Sequence, residues 1–193
     1  MLNLDSIKIE VRKIDISGFV NGLTLYESIF GMMQGQIAVQ DSTNFFDNFI
    51  GTELAPVDIS FSYLKQEYTA SFYMDGITDM KLNTEKKNYT IHLKSIHVPN
   101  FANTVNSVYN GTSAEIIAKI FADVSASENK MAVDSKTATS GRYIAPNIPA
   151  KDCFKTLVAN AYCIDQSGLF MYERLVDENT IRLTSLHDMV NNA

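Results

Sequence analysis

The residues whose type and spacing invite a chemical reading are three histidines, His92, His97 and His187, two cysteines, Cys153 and Cys163, and the carboxylates Asp75 and Asp79 around Gly76-Ile77-Thr78. Paired carboxylates can run acid–base catalysis or hold Ca²⁺. This pair lacks the further oxygen ligands and terminal Glu of an EF-hand loop, and it reads instead as an Asp- and Gly-containing turn between strands. His92 and His97 stand five residues apart across a strand end, a separation that brings two imidazoles to one metal in neither a strand nor a helix. They read as structural or solvent-facing. Cys153 and Cys163 fall on or beside one expected helix, about 15 Å apart at its rise, too far for a disulfide if that helix persists. Small buried hydrophobes are their expected role. Met32, Met33, Met74 and Met80 read as core or turn filling rather than as an adaptable binding face. The sequence carries no motif for a P-loop, a dinucleotide fold, a nucleophile elbow or a zincin. The expectation is a chain without catalytic residues, metal ligands or cofactor.

The chain that would hold these residues has 193 residues, 46% of them hydrophobic and 20% charged. Such a length buries close to about 70% of its unfolded surface without help from metal or disulfide. Sixteen Lys+Arg against twenty-two Asp+Glu leave a formal charge of −6. No cationic block is present to release counterions from a phosphate backbone, which argues against tight non-specific DNA binding. No apolar run approaches the roughly 18 residues that cross a bilayer, and the first twenty residues lack a signal-peptide core. A soluble, unexported chain with no membrane partner is expected. Two cysteines suit a reducing compartment, where the sequons at Asn88 and Asn110 carry little meaning.

Along residues 1–95 apolar residues recur at every second position, as in strands with one face on a core. Ile7, Ile9 and Val11 set one phase and Ile14 and Ile16 the other, so Arg12-Lys13 marks a β-bulge or a sharp bend. Further strands are expected at residues 23–29, 36–40, 57–63, 68–73, 77–82 and 89–93, with short turns at Lys65-Gln66 and at 83–88. Ser42 can cap a short helix that gathers Phe45, Phe46 and Phe49 on one side before Gly51. That side is buried either on the chain's own barrel or on a neighbouring subunit.

From residue 96 the period becomes that of a helix. Thr112 and Glu115 have capping-box spacing ahead of a stripe of Ile116, Ile117, Ile120, Phe121 and Val124. Residues 125–141 read as a long loop or mobile arm, and Arg142-Tyr143-Ile144 as a short extended piece. Pro149 is placed to open a helix that carries Phe154, Leu157, Val158, Ala161 and Tyr162 on one face. Leu169-Phe170-Met171-Tyr172 and Ile181-Arg182-Leu183 then form a hairpin. The fold class is α+β: an N-terminal antiparallel β-barrel or sandwich over 1–98, followed by a smaller α+β domain over 99–193.

Two stretches resemble the central baseplate hub proteins of contractile-tailed bacteriophages, whose relatives include the hub part of type VI secretion spike proteins. One runs Leu23-Thr24-Leu25-Tyr26-Glu27-Ser28-Ile29-Phe30-Gly31, then Gln34-Gly35-Gln36-Ile37-Ala38-Val39-Gln40-Asp41-Ser42-Thr43-Asn44. The other is Tyr143-Ile144-Ala145-Pro146-Asn147-Ile148-Pro149 with its aromatic-containing helix, then Leu169-Phe170-Met171-Tyr172 and Asp188-Met189. Order and spacing are similar to the family's N-terminal half across nearly the whole chain.

The resemblance implies a tail-tube-like barrel joined to an α+β domain that widens the hub. It also implies a trimeric ring of this chain, coaxial with the tail-tube protein on one side and the central spike protein on the other, among other baseplate subunits. Such a protein belongs to the virion's tail baseplate and is assembled in the host cytoplasm. Family members continue into a second barrel, so this chain is expected to be a truncated hub or one completed by another chain. A wall poor in Lys and Arg suits a conduit through which DNA passes without specific binding. Open β edges, expected within residues 57–73, are a route to ring closure. The subunit interface is accordingly placed at Phe45, Phe46, Phe49, Tyr68 and Phe72. Other readings are a tail-tube or tube-terminator protein, a tail-associated cell-wall hydrolase with converging carboxylates or a Cys/His pair, and a small-ligand module with an enclosed apolar pocket.

Overall fold

The two-residue period of the first half folds as an antiparallel sheet in the computed structural model, which describes residues 6–43, 45, 54–63, 65–82, 86–125 and 129–191. Its strands are β1 Ser6–Val11, β2 Ile14–Asp15, β3 Val20–Tyr26, β4 Gln34–Asp41, β5 Pro56–Tyr63, β6 Gln66–Leu82 and β7 Lys87–Ser95. Across the sheet they run β2-β1-β5-β6-β7-β4-β3. Register explains the core: Ile9 faces Ile59, Val57 faces both Val11 and Phe72, and Ile91 faces both Ile77 and Ile37. All of these but Ile77 are buried, because residues opposite one another in a ladder share a face of the pleat.

Three local expectations change. The bend at Arg12-Lys13 is a two-residue hairpin loop with φ of 51° and 66°, which joins Val11 directly to Ile14. Positive φ at both central residues matches the twist of the flanking strands. Residues 68–73 and 77–82 are not two strands around a turn; they are parts of the 17-residue β6. Asp75 and Asp79 sit at two register shifts against β7, between Met74 and Gly76 and between Thr78 and Lys81. Bulges and turns draw on the same Asp and Gly, so composition alone confuses them. Finally, β5 and β6 are interior strands. The sheet's end strands are β2 and β3, and they do not pair with each other among the described residues. The sheet is therefore a curled half-barrel rather than a closed one.

The second half contains β8 Thr104–Thr112, α1 Ser113–Val124, β9 Lys130–Val133, β10 Ser140–Pro149, α2 Ala150–Ala159, β11 Leu169–Glu173, β12 Thr180–Ser185 and α3 Leu186–Asn191. β8 and β10 form one antiparallel pair, and β11, β12 and β9 a three-stranded sheet in which β12 and β9 run parallel. Residues 104–111, within the stretch from 96 where a helix's period is expected, are thus part of a strand. Its buried residues Val105 and Tyr109 are four apart with exposed Ser107 between them and exposed Val108 out of phase, which hides the alternation. The expected arm at 125–141 contains β9, four residues too short to show a period.

Helix α1 starts as its sequence dictates: Thr112 Oγ1 accepts from the Glu115 backbone N–H at 3.4 Å while Glu115 Oε2 accepts from the Thr112 N–H at 2.8 Å. Thr112→Ala is expected to cost about 0.5–2 kcal/mol in chemical denaturation; an unchanged midpoint would show that the box contributes nothing. The helix buries Ile116, Ile117, Ile120 and Phe121 against Phe101, Phe154, Leu157, Leu169, Ile181 and Leu183.

The chain divides into two units, Met1–Glu27 with Met33–Ile96, and Ser28–Met32 with His97–Ala193. The tip of the β3–β4 hairpin thus counts with the second unit. The architecture is mostly antiparallel β with a few helices.

Candidate functional site

His97 has no exposed surface; its ring stacks on Phe101 and is tilted against Phe121, with ring centroids at 6.4 and 5.9 Å. Its Nε2 lies 2.6 Å from the Asn179 carbonyl oxygen and 3.7 Å from Oε1 of the equally buried Glu173. Burial lowers its pKa, and the hydrogen bond to Asn179 only partly offsets this. The imidazole is accordingly neutral at pH 7 and donates Nε2–H to Asn179. Because the folded pKa lies below the unfolded value of 6.5, the unfolded chain takes up the proton first. Stability is full above about pH 6.5 and falls as pH drops below it. Urea midpoints at pH 7.5 and 5.5 should therefore differ more for the native chain than for His97→Gln; equal differences would contradict this.

The other histidines are elsewhere. His92 on β7 is 2.7 Å from Thr78 Oγ1, and His187 on α3 is 2.9 Å from Asn191 Nδ2. Asp75 pairs with Lys94, and Asp79 accepts from Thr78 Oγ1 at 3.3 Å. Among the described residues no three His, Cys, Asp or Glu side chains are grouped to hold a metal ion.

Both cysteines are free and buried. Cys163 borders a cleft of about 250 Å³ together with Asp165, His187 and Asp188, so both the carboxylates and the Cys/His pair that a hydrolase reading would require line it, with His187 turned to Asn191. The carboxylates are already engaged. Asp165 accepts from Ser167 Oγ at 2.6 Å, Ser185 Oγ at 2.7 Å and the Ser167 N–H at 2.9 Å. Those bonds lower its pKa to about 2, which leaves no proton to donate near neutrality. Asp188 accepts from Ser135 Oγ. Burial, then the charges of Asp165 and Asp188, push the Cys163 thiol up, opposite to the shift that makes a nucleophile. The cleft's hydrogen bonds tie Asp165, ahead of β11, and Ser135, after β9, to Ser185 at the end of β12 and Asp188 in α3.

Of the residues placed at a subunit interface, Phe72 has no exposed surface and Phe45 is buried against Phe19, ring centroids 6.4 Å apart. Both side chains lie in the first unit's own interior. Tyr68 is half-buried and stacks on its cross-strand partner Phe61 at 5.2 Å. Phe46 and Phe49, with the core of the expected helix at 42–50, lie outside the described residues. Just before it, Asp41 Oδ1 accepts from the Thr43 N–H at 2.8 Å and hydroxyl at 3.1 Å.

Two surfaces went unpredicted. The first is the free side of β3, paired only with β4, where Thr24 and Tyr26 point outward while Leu23 and Leu25 alternate inward. It is held tightly to β4, since a Cβ at Gly35 would come within 2.8 Å of Leu25 Cδ2 and 3.1 Å of the Thr24 carbonyl oxygen. The second lies wholly in the second unit. Here an apolar groove of about 650 Å³ runs between α2, β11 and the hairpin tip, with Phe30, Phe154, Val158 and Phe170 among its walls and Lys151 and Lys155 on its margin. Phe30 is 81% exposed. An aromatic beside Gly31 in a hairpin loop was the signal available in the sequence.

The sequence matches no protein-family model and no curated protein. Solved structures do match. The 43 kDa tail protein of prophage MuSo2 from Shewanella oneidensis superposes with a TM-score of 0.63 at 10% identity, over 92% of this chain and 52% of that one. A tail protein from Neisseria meningitidis MC58 gives 0.61 at 6% identity, over 92% and 49%. The Francisella PdpA–VgrG complex in its half-lidded form gives 0.52 at 12% identity, over 100% and 34%. The chain spans about half the length of the two tail proteins. It has the fold of phage tail and VgrG-like proteins.

Proposed function

We propose that this chain is a subunit of a phage baseplate hub, which links the tail tube to the central spike and lines part of the DNA conduit. The observation that carries the reading is the reach of the fold likeness: it extends over 92% of the chain in two tail proteins, so it takes in the second unit as well as the seven-stranded sheet. A tube protein would account for the sheet alone. In this account the first domain, 1–98, supplies a tube-like wall and the second, 99–193, widens it. Three copies close a ring in the baseplate, after assembly in the host cytoplasm. The likeness to a VgrG in complex supports a spike as neighbour. A net charge of −6 keeps the wall from gripping passing DNA.

The action is mechanical, through contacts with neighbours. The site geometry favours this over hydrolysis, because the carboxylates that converge at Cys163 are consumed by serine hydroxyls. The test is electron microscopy of tails decorated with gold-labelled antibody against this chain. Gold confined to the baseplate end is expected. Gold along the tube would favour a tube protein, and unlabelled tails would overturn the structural role.

A further inference from the structure

The apolar groove of the second unit combines two features that soluble surfaces rarely place together. Its floor is hydrophobic, and an aromatic ring stands over it in water: Phe30, 81% exposed, is tilted against Phe170 with ring centroids 5.8 Å apart. Its margin is cationic. Lys151 and Lys155, both exposed, are one helical turn apart on α2 and line the groove, and neither has an ion-pair partner among the described residues. The chain as a whole is acidic, at −6, so this margin attracts what the remaining surface repels.

We infer that the groove is a docking site for an acidic, amphipathic segment of a partner protein, with apolar side chains against Phe30 and Phe154 and carboxylates toward Lys151 and Lys155. The size fits, since about 650 Å³ falls within the roughly 300–1,000 Å³ of sites that take a few side chains or a small ligand. The charge spacing fits as well: residues one turn apart present their cations to carboxylates at the same spacing on a helix laid alongside. A fatty acid shares the chemistry of tail and carboxylate. The groove is an open trough, though, and would leave much of a lipid chain in water, whereas a helix needs only one face covered. The exposed aromatic is the kind of anchor that dominates protein interfaces. This inference stands whether or not the hub reading does.

The test is selection of a random dodecapeptide display library on the full chain. Enriched peptides are expected to combine Leu, Ile or Phe with Asp or Glu. The leading peptide, made synthetically, should bind about tenfold or more weakly to Lys151→Glu/Lys155→Glu and to Phe30→Ala, and equally well to Lys130→Glu, which reverses a charge away from the groove. All three variants alter exposed residues, and circular dichroism checks that each is folded. No enrichment, equal binding to the charge-reversed double variant, displacement of the peptide by dodecanoate, or self-association of the chain that the peptide blocks would each overturn the inference.

Discussion

Phe154→Ala is expected to destabilise the second unit by about 3–5 kcal/mol, the largest effect of any single substitution considered. Phe154 is 4% exposed on the inner face of α2 and meets Phe101 edge-on, with centroids 5.0 Å apart and planes at 69°. Phe101 in turn contacts Phe121 and His97. Removing the ring takes an apolar side chain out of the core and leaves a void lined by other rings, which cannot rotate to fill it without losing their own edge-to-face geometry. The chain has no tryptophan, so urea unfolding would be followed by tyrosine emission and far-ultraviolet circular dichroism. A loss below about 1 kcal/mol would mean that the site collapses freely and that the ring cluster is not the centre of this unit.

The second large effect concerns assembly. Thr24→Lys/Tyr26→Lys should leave the isolated chain folded, its stability changed by no more than about 0.5 kcal/mol, and should abolish the ring closure proposed for the native chain at micromolar concentration. Both residues are exposed on β3, whose other edge is occupied by β4. Lysines on an unpaired strand resist the approach of a second strand by charge and by hydration, while Leu23 and Leu25 keep the inner face intact. Sedimentation of the variant beside the native chain reads the result. A variant that assembles undiminished would move the subunit contact away from this edge.

Where local periodicity controlled structure, the sequence was a sufficient guide. Alternation placed the strands of the sheet, and the Thr112/Glu115 box placed the start of α1 to the residue. It failed where long-range pairing decides. β9 becomes a strand because β12 lies beside it, and β8 because β10 does; neither carries enough alternation to announce itself. The bulges at Asp75 and Asp79 depend on the register with β7, which no local pattern encodes. The interface residues show the same limit. Amphipathic aromatics signal burial, but not against what: Phe72 lies in its own sheet's interior, while Phe30, in a loop, stands in water. The resemblance anticipated the fold that the structural comparisons display, and among the described residues the sheet's edges are β2 and β3 rather than residues 57–73.

The proposed role requires this chain to close a ring with copies of itself between a tube and a spike. Native mass measurement tests it most directly, on the purified chain alone and mixed with the tail-tube and spike proteins of the same particle. A three-chain species, formed alone or on mixing and able to retain both partners, is the predicted result. A single-chain mass under every condition would contradict it.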